Sequence, residues 1–290
     1  MSIVQESHSV NASLNRGRLF VLLTGVLWSL AGVFIKSLDL HPLTIVFYRS
    51  LFASAFFLLF VRKKAVTVNV SLGVSALSYT TAISAFVWAN KLTTAANAII
   101  LQYTAPIFVF LFVRLLFHEP ISRSNLITLV LGMVGVGIIF AGSAGQPDAL
   151  GVAVAVLSGF LFSIFMTNLR FLKEVNPGYL TFLNNLVCWL AILPLVPSLS
   201  LSLGEALALA IMGAVQLGIP YFLFSKGLET ISLQEASLIV LIEPVLNPTW
   251  VALSFGEVPS TTTLVGGGII LFSLGFRYVR LMSRARQTFV

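Results

Sequence analysis

The sequence has 290 residues, of which 58% are hydrophobic and only 9% are charged, whereas soluble domains carry about 25% charged residues. This composition excludes an ordinary soluble domain and indicates a membrane protein with little chain outside its apolar runs. The net charge of +7 comes from basic residues beside those runs, which is typical of loops that meet anionic lipid and not of a nucleic-acid-binding surface. The single cysteine, Cys188, excludes an intramolecular disulfide and is interpreted as a packing residue.

The apolar runs between Gly, Pro and charged residues predict an all-α membrane protein with ten transmembrane helices. Each run is close to the roughly 20 residues that cross about 30 Å of hydrocarbon. A polar tail (1–16) precedes the first run, which lacks the short core and cleavage site of a signal peptide and is expected to be retained. The ten predicted spans are 18–37, 42–61, 71–90, 95–117, 124–141, 150–171, 177–197, 205–227, 232–254 and 262–281.

The distribution of basic residues predicts the orientation of these spans. An even number of spans places both termini on one side, and we expect the cytoplasm because most Lys and Arg residues then lie inside. The inner set includes the triplet at 62–64 and a basic C-terminal tail at 283–290. Arg49 lies within the second span, where we expect snorkelling or pairing with a neighbouring helix, with binding of a substrate carboxylate as the alternative.

Small residues follow one face of the first and sixth spans at intervals of three or four, and each stripe ends in a cation. Such residues let helices approach closely, so we interpret the stripes as packing surfaces. Lys36 is expected at the outer mouth and Arg170 at the inner one, where they either gate access or snorkel. The stripes consist of Gly25, Ser29, Gly32 and Lys36, and of Gly151, Ala155, Gly159, Ser163, Met166 and Arg170.

Aromatic, hydroxyl and amide side chains within the spans are candidates for a substrate cavity, because aromatic faces suit a planar apolar group and the polar atoms suit its polar end. Packing inside the bundle explains the same residues equally well. Trp88 lies near the outer end of its span, where an interfacial belt or a gate is favoured. The candidates are Trp28, Tyr79, Thr81, Ser84, Trp88, Gln102, Tyr103, Ser163 and Tyr221.

The stretch IEPVLNPTW (242–250) in the ninth span carries the strongest polar signal. Glu243, Asn247 and Trp250 share one helix face, and an ionised carboxylate facing lipid would cost about 2.5 to 3.5 kcal/mol or more. Pro244 and Pro248 free backbone carbonyls, which is tolerated only inside protein or beside a watery cavity. We therefore predict a hinge that lines the cavity, with Glu243 as a coupling candidate; a structural carboxyl beside packing kinks is the alternative.

The two halves of the sequence resemble each other. Residues 24–42 align with 158–177, and residues 105–119 align with 243–257, so that Pro106 corresponds to Pro244 and is predicted to be a second hinge. Each half, 17–142 and 150–282, holds five spans, an odd number. We therefore predict an inverted repeat, an arrangement that places a shared site near the membrane midplane.

Four motifs carry a family resemblance: GVLWSLAGVFIK, HP(x6)R ending in Arg49, AxxLQYTAP, and SLIVLIEPVLNP followed by FGE. With them, residues 17 to 282 resemble the two repeats of the drug/metabolite transporter superfamily, EamA type. The chain is also similar to the bacterial branch that exports aromatic amino acids. The resemblance implies an inner-membrane protein that works by alternating access, with a cavity lined mainly by the first, third, fourth, sixth, eighth and ninth helices.

The sequence contains no pattern that predicts catalysis, a metal site or a bound cofactor. The glycine runs at 132–137 and 266–268 do not lie between a strand and a helix, and there is no Walker or HExxH motif. We predict a secondary transporter, exporter or facilitator, of aromatic or other apolar amino acids, without an obligatory protein partner. The alternatives are a proton antiporter of another metabolite or lipophilic drug and, from a different class, an intramembrane enzyme or a membrane scaffold.

Overall fold

The computed structural model describes residues 3–58, 69–118, 123–143, 146–172, 174–231, 236 and 239–287, and every regular element in these ranges is helical. The basic triplet at 62–64, the last residues of the predicted second span and positions 288–290 of the predicted tail lie outside the described residues. The helices are α1 (Ile3–Trp28), α2 (Ala31–Ser37), α3 (Pro42–Leu58), α4 (Val70–Leu92), α5 (Ala95–Gln102), α6 (Ala105–Phe117), α7 (Arg123–Ser143), α8 (Ala149–Asn168), α9 (Pro177–Ile192), α10 (Leu203–Ile211), α11 (Ile219–Leu228), α12 (Glu243–Phe255) and α13 (Thr261–Gln287).

The prediction of an all-α fold is confirmed for the described residues. Seven helical stretches are long and apolar enough to cross a membrane: Ala12–Ser37, Val70–Leu92, Ala95–Phe117, Leu126–Ser143, Ala149–Phe171, Pro177–Leu195 and Leu203–Leu228. Three shorter apolar helices complete the set: Pro42–Leu58, Val240–Phe255 and Thr261–Arg277. Together these stretches follow the order of the predicted spans.

The ends of the helices are set by local sequence. Asn69 caps α4, because its side-chain oxygen accepts a hydrogen bond from the Leu72 amide at 2.9 Å. A capping box of Ser202 and Glu205 starts α10. At both termini the helices run beyond the predicted spans: α1 begins at Ile3, within the predicted polar tail, and α13 continues to Gln287. A helix that is already nucleated extends readily into flanking residues that contain no proline.

Two spans are interrupted where the prolines predict it. The fourth span breaks at Tyr103 and Thr104, and Pro106 lies in the first turn of α6. In the ninth span, a 3-10 turn at Val240–Ile242 precedes α12, and Pro244 lies in the first turn of α12. Proline is tolerated at the start of a helix because the first amides have no partner inside the helix. Pro248 lies within α12 without ending it.

Two further interruptions were not predicted. The first span breaks at Ser29 and Leu30, where the Ser29 hydroxyl donates to the Val26 carbonyl at 2.6 Å and competes with the helical pattern. The eighth span contains a π-helical segment, Met212–Gly218, between α10 and α11. The spans that correspond to these two in the other half, α8 and α4, are continuous.

Helices of the first half pack mainly against helices of the second. The most extensive contacts join α4 to α8, α7 to α13, α3 to α9, and α1 to α11. Two glycines bring backbones together at corresponding places: a methyl group on Gly25 would meet Val240 and Ile242, and one on Gly159 would meet Leu101 and Thr104. The predicted small-residue stripes are thus close-packing surfaces, and they lie against the breaks of the ninth and fourth spans.

Candidate functional site

The breaks in the fourth and ninth spans are joined by hydrogen bonds. The hydroxyl of Tyr103, which follows α5, donates to Glu243 Oε2 at 2.7 Å and lies 3.2 Å from the carbonyl oxygen of Val240. Glu243 is the first residue of α12, so this carboxylate lies at the point where the helix is interrupted. The two predicted cavity residues therefore meet, and the sequence reasoning gave no indication that they would bond to each other.

Arg49 of α3 lies beside this pair and is buried, with 3% of its surface exposed. Its Nε and Nη1 atoms have no hydrogen-bond partner. The titratable side chains that interact with it electrostatically are Tyr79, Tyr221, Cys188 and Glu243. The expectation that Arg49 snorkels is therefore wrong, because its side chain lies in the interior of the bundle instead of reaching the membrane surface.

Residues from five spans thus form one group, which we call the polar centre: Arg49, Tyr79, Tyr103, Tyr221 and Glu243. A charge in the membrane interior is costly, and charged residues there typically mark substrate or ion pathways. Removing the partner of a buried charge usually costs about 3 to 5 kcal/mol, so an arginine held without a full set of partners calls for a functional explanation.

Tyr79 connects the polar centre to Asn185, one of two adjacent asparagines on α9 that the sequence reasoning missed. Its hydroxyl donates to Asn185 Oδ1 at 3.2 Å, and the hydroxyl of Ser75 donates to Asn184 Oδ1 at 3.1 Å. Asn184 and Asn185 are 2% and 0% exposed. Adjacent asparagines in an apolar span are expensive unless they bond to neighbouring helices, and that signal would have found them.

An aromatic wall borders the polar centre on the side of α1. The rings of Trp28 and Tyr221 lie 5.3 Å apart at 64°, and the rings of Trp28 and Phe224 lie 5.5 Å apart. Gln216, in the π-helical segment, donates to the Trp28 carbonyl at 3.2 Å, while its own Oε1 is buried without a partner. π-Helical segments often occur at functional sites, and this one holds an amide beside the first-span break.

Two residues on the polar face of the ninth span, Asn247 and Trp250, lie against the first span. Trp250 Nε1 donates to Ser29 Oγ at 2.9 Å, at the break between α1 and α2. Asn247 is fully buried, and neither polar atom of its amide has a partner. Its Oδ1 faces Gly32, where there is no room for a side chain. Glu243, Asn247 and Trp250 therefore follow one interface, although only Glu243 belongs to the polar centre.

Several predicted cavity residues are used within their own helices or elsewhere in the bundle. Thr81, Ser84 and Ser163 donate to carbonyls of Leu77, Thr80 and Phe160 in the preceding turn. The Gln102 amide donates to Ser158 at 3.0 Å, and Ser158 donates to the Ala82 carbonyl. Trp88 is 37% exposed, with its ring 5.5 Å from that of His41, which suits the belt or gate interpretation.

A second charged group lies at the end of α2. Lys36 Nζ is 2.7 Å from Glu257 Oε2 and donates to the carbonyl of Thr93 at 2.9 Å. Glu257 also accepts a hydrogen bond from the Ala95 amide at 2.6 Å. These contacts join the first and ninth spans to the connection between the third and fourth. Arg170, the predicted counterpart of Lys36, is exposed, and its guanidinium lies 4.9 Å from the centre of the Phe117 ring.

The groove between α4 and α9 is separate from the polar centre. Its volume is about 270 Å³, and its walls are mostly apolar, formed by Leu72, Gly73, Ala76, Leu77, Thr80, Tyr179, Leu183, Val187 and Ala191. Among the described residues, no group of three or more His, Cys, Asp or Glu side chains is arranged to hold a metal ion.

The fold and site define a class: a multi-pass, all-helical membrane protein whose interrupted spans meet at a buried polar centre. The chain belongs to the EamA-like transporter family, whose model matches residues 15–141 and again 149–278. This membership indicates a membrane transporter of small solutes.

Individual relatives agree with this assignment. An uncharacterized transporter of Archaeoglobus fulgidus is 27% identical over 256 residues, which is 88% of this chain and 93% of the relative. The uncharacterized transporter YdfC of Bacillus subtilis is 26% identical over 194 residues, which is 63% of this chain and 62% of the relative. A solved crystal structure has a TM-score of 0.65 at 16% identity, covers 91% of this chain and 97% of its own, and supports the fold alone.

Proposed function

We propose that the chain is a secondary transporter, an exporter or facilitator, that moves aromatic or other apolar amino acids across the inner membrane by alternating access. The observation that carries this proposal is the meeting of interrupted spans at the polar centre, where Tyr103 bonds to Glu243 across two helix breaks. Irregular backbone at membrane depth is tolerated where it lines a cavity or is buried in protein, and discontinuous helices line the substrate sites of inverted-repeat transporters.

The proposal includes two five-helix halves, 17–142 and 150–282, in opposite orientations, with both termini in the cytoplasm. The double match to the family model supports the two halves. Their opposite orientation is supported by equivalent contacts, since Gly25 and Gly159 each lie against the break of a span in the other half. The αL helix ends at His118 and Gly256, with φ of 55° and 69°, fall at aligned positions.

Lys36 and Glu257 act as a gate in this proposal. Their ion pair and the bonds to the 93–95 connection tie together three parts of the chain at one end of the bundle. In the proposed orientation that end is the outer one, so these contacts close the path outward. The breaks near Pro106 and Pro244, together with Pro248, are the hinges about which the path opens.

One feature of the site supports an aromatic solute, and another bears on the energy source of transport. The wall of Trp28, Tyr221 and Phe224 offers aromatic faces beside the polar centre, which suits a planar side chain. Proton antiport is the second candidate mechanism, favoured by the single carboxylate Glu243 within the polar centre and its hydrogen bond from Tyr103.

The test is uptake of labelled tryptophan into liposomes that contain the purified protein, compared with empty liposomes, with and without an imposed pH gradient. Equilibration without a gradient would support a facilitator, and accumulation only with a gradient would support proton antiport. Absence of uptake by correctly folded protein would contradict the proposed substrate class and leave the transporter class in place.

A further inference from the structure

Arg49 is an exception to the rule that buried polar groups are hydrogen-bonded. The guanidinium group carries five N–H donors in a planar fork, and here Nε and Nη1 are buried without a partner. Arg49 lies in α3. The next residue in the chain, Ser50, donates a hydrogen bond to Cys188 Sγ of α9 at 3.3 Å. Nothing in the described part of the chain accepts a hydrogen bond from these two buried atoms, so a molecule that reaches them when the path opens would find them unoccupied.

The backbone that carries Arg49 is held in place by the π-helical segment. A methyl group added to Gly213 would lie 2.8 Å from the Arg49 carbonyl oxygen and 2.9 Å from the Ala53 amide nitrogen. The close approach of the two backbones fixes the start of the Arg49 side chain. A cation fixed before binding loses less freedom when a ligand arrives, which is the advantage of a preorganised site.

The one carboxylate that interacts electrostatically with Arg49 is already bonded elsewhere. Glu243 Oε2 accepts the hydrogen bond from Tyr103, and Arg49 forms no ion pair with a carboxylate in the ranges that the structure describes. Tyr79 and Tyr221 complete the electrostatic surroundings. The arginine and the glutamate therefore interact electrostatically without forming a direct ion pair.

We propose that Arg49 binds the carboxylate of the transported solute, an inference that rests on the proposed transport function. A carboxylate has two oxygens in the geometry that the guanidinium fork matches. The charge balance favours a carboxylate over a phosphate, because one arginine beside one glutamate suits a monoanion or a zwitterion. A phosphate dianion would bring two negative charges to a site in which Arg49 is the cation that faces them.

The solute that fits this arrangement carries a carboxylate at Arg49 and an aromatic or apolar group towards Trp28 and Tyr221. The ring of Tyr221 contacts that of Trp28 and also interacts electrostatically with Arg49, so the polar and aromatic parts of the site are continuous. A solute amide or alcohol of the same shape offers one neutral acceptor oxygen in place of two charged ones, so it would satisfy fewer of the arginine donors and without charge assistance.

The first experiment uses the wild-type protein and pairs of solutes that differ only in the carboxylate. Thermal stabilisation of the detergent-purified protein is measured with tryptophan and tryptophan amide, phenylalanine and phenylalanine amide, and leucine and leucine amide. The carboxylate member should bind about tenfold to a hundredfold more tightly in at least one pair, as expected of a charge-assisted hydrogen bond. Equal stabilisation in every pair overturns the inference.

The second experiment compares Arg49→Gln with the exposed control Arg114→Gln, whose native side chain donates to the His118 carbonyl at 3.2 Å. Tryptophan and tryptophan amide compete for counterflow in proteoliposomes, and the ratio of their apparent affinities is measured. Arg49→Gln should bring the ratio close to one, while Arg114→Gln should keep the wild-type value. If Arg49→Gln keeps the wild-type ratio, the inference is overturned. The ratio of affinities does not depend on how much of the protein is folded.

These measurements separate the failure of this inference from failure of the proposed function. Carboxylate preference in the stabilisation assay without uptake into liposomes would support Arg49 as an anion site and contradict transport of amino acids. Uptake of tryptophan and its amide with equal affinity would support transport and overturn the role of Arg49. Arg49→Lys adds a further check: a lysine keeps the charge but not the fork, so it should restore only part of the carboxylate preference.

Discussion

Lys36 and Arg49 are both cations on apolar spans, but the fold treats them differently. Lys36 is matched by the carboxylate of Glu257 and the carbonyl of Thr93, and its side chain remains 19% exposed. Arg49 is 3% exposed, and two of its nitrogens have no partner. A cation with its own partners can hold helices together, whereas a cation without them gains little stability for the fold. The difference supports the proposals that Lys36 forms a closing contact and that Arg49 binds a ligand.

The contrast between Lys36 and Arg49 would not hold if Arg49 were a structural residue. Arg49→Met should reduce transport of a carboxylate solute by more than about a hundredfold, while the free energy of unfolding stays unchanged or rises by about 1 to 4 kcal/mol, because an apolar side chain replaces a poorly partnered charge. Uptake assays measure the effect on transport, and thermal unfolding of the same preparation measures the effect on stability. A large loss of stability would identify Arg49 as part of the structural framework.

The role of Glu243 is the next largest expected effect. Glu243→Gln keeps an acceptor for the Tyr103 hydroxyl but removes the titratable group. If Glu243 carries protons, any response of uptake to a pH gradient should disappear while equilibrative exchange continues. Gradient-driven uptake measured in Glu243→Gln and in Glu205→Gln, a partly exposed carboxylate at the start of α10, checks this. A response that persists in Glu243→Gln would assign proton coupling to another group.

The ion pair of Lys36 is expected to give a smaller effect. In a double-mutant cycle of Lys36→Met and Glu257→Gln, the coupling free energy should be about 1 to 3 kcal/mol, and either single change should open the closed end. Modification of a cysteine placed in the polar centre by a membrane-impermeant reagent measures that opening. A coupling free energy near zero would identify the pair as a surface salt bridge, which usually contributes about 0 to 1 kcal/mol.

The hinge prolines should give the smallest effect. Replacement of Pro244 and Pro248 by Ala restores backbone donors in α12 and should slow transport a few-fold without a loss of folded protein, because a regular helix bends less readily. Pro42→Ala, at the start of α3, is a matched control outside the interrupted spans. Equal rates in the wild type and the double variant would remove the hinge from the mechanism.

Much of the fold could be predicted from the sequence because its signals are local. Apolar length predicted the spans, and the prolines predicted the interruptions near Tyr103 and Val240. The break at Ser29 was not predictable, because it involves no proline and its hydrogen bond from Trp250 comes from a residue 221 positions away. The π-helical segment around Gln216 likewise had no sequence signal strong enough to separate it from an ordinary helix.

The candidate site also has features that the sequence predicted and features that only the structure revealed. The sequence by itself determined that Glu243 and Tyr103 belong to interrupted membrane spans, because an acidic group and prolines in hydrocarbon need a polar or protein environment. Only the tertiary structure decided that Tyr103 bonds to Glu243, that Asn185 bonds to Tyr79, and that Arg49 is buried with its Nε and Nη1 atoms unpartnered. The physical reason is that a side chain's partners come from distant segments, and whether a cation snorkels or stays inside depends on which helices surround it.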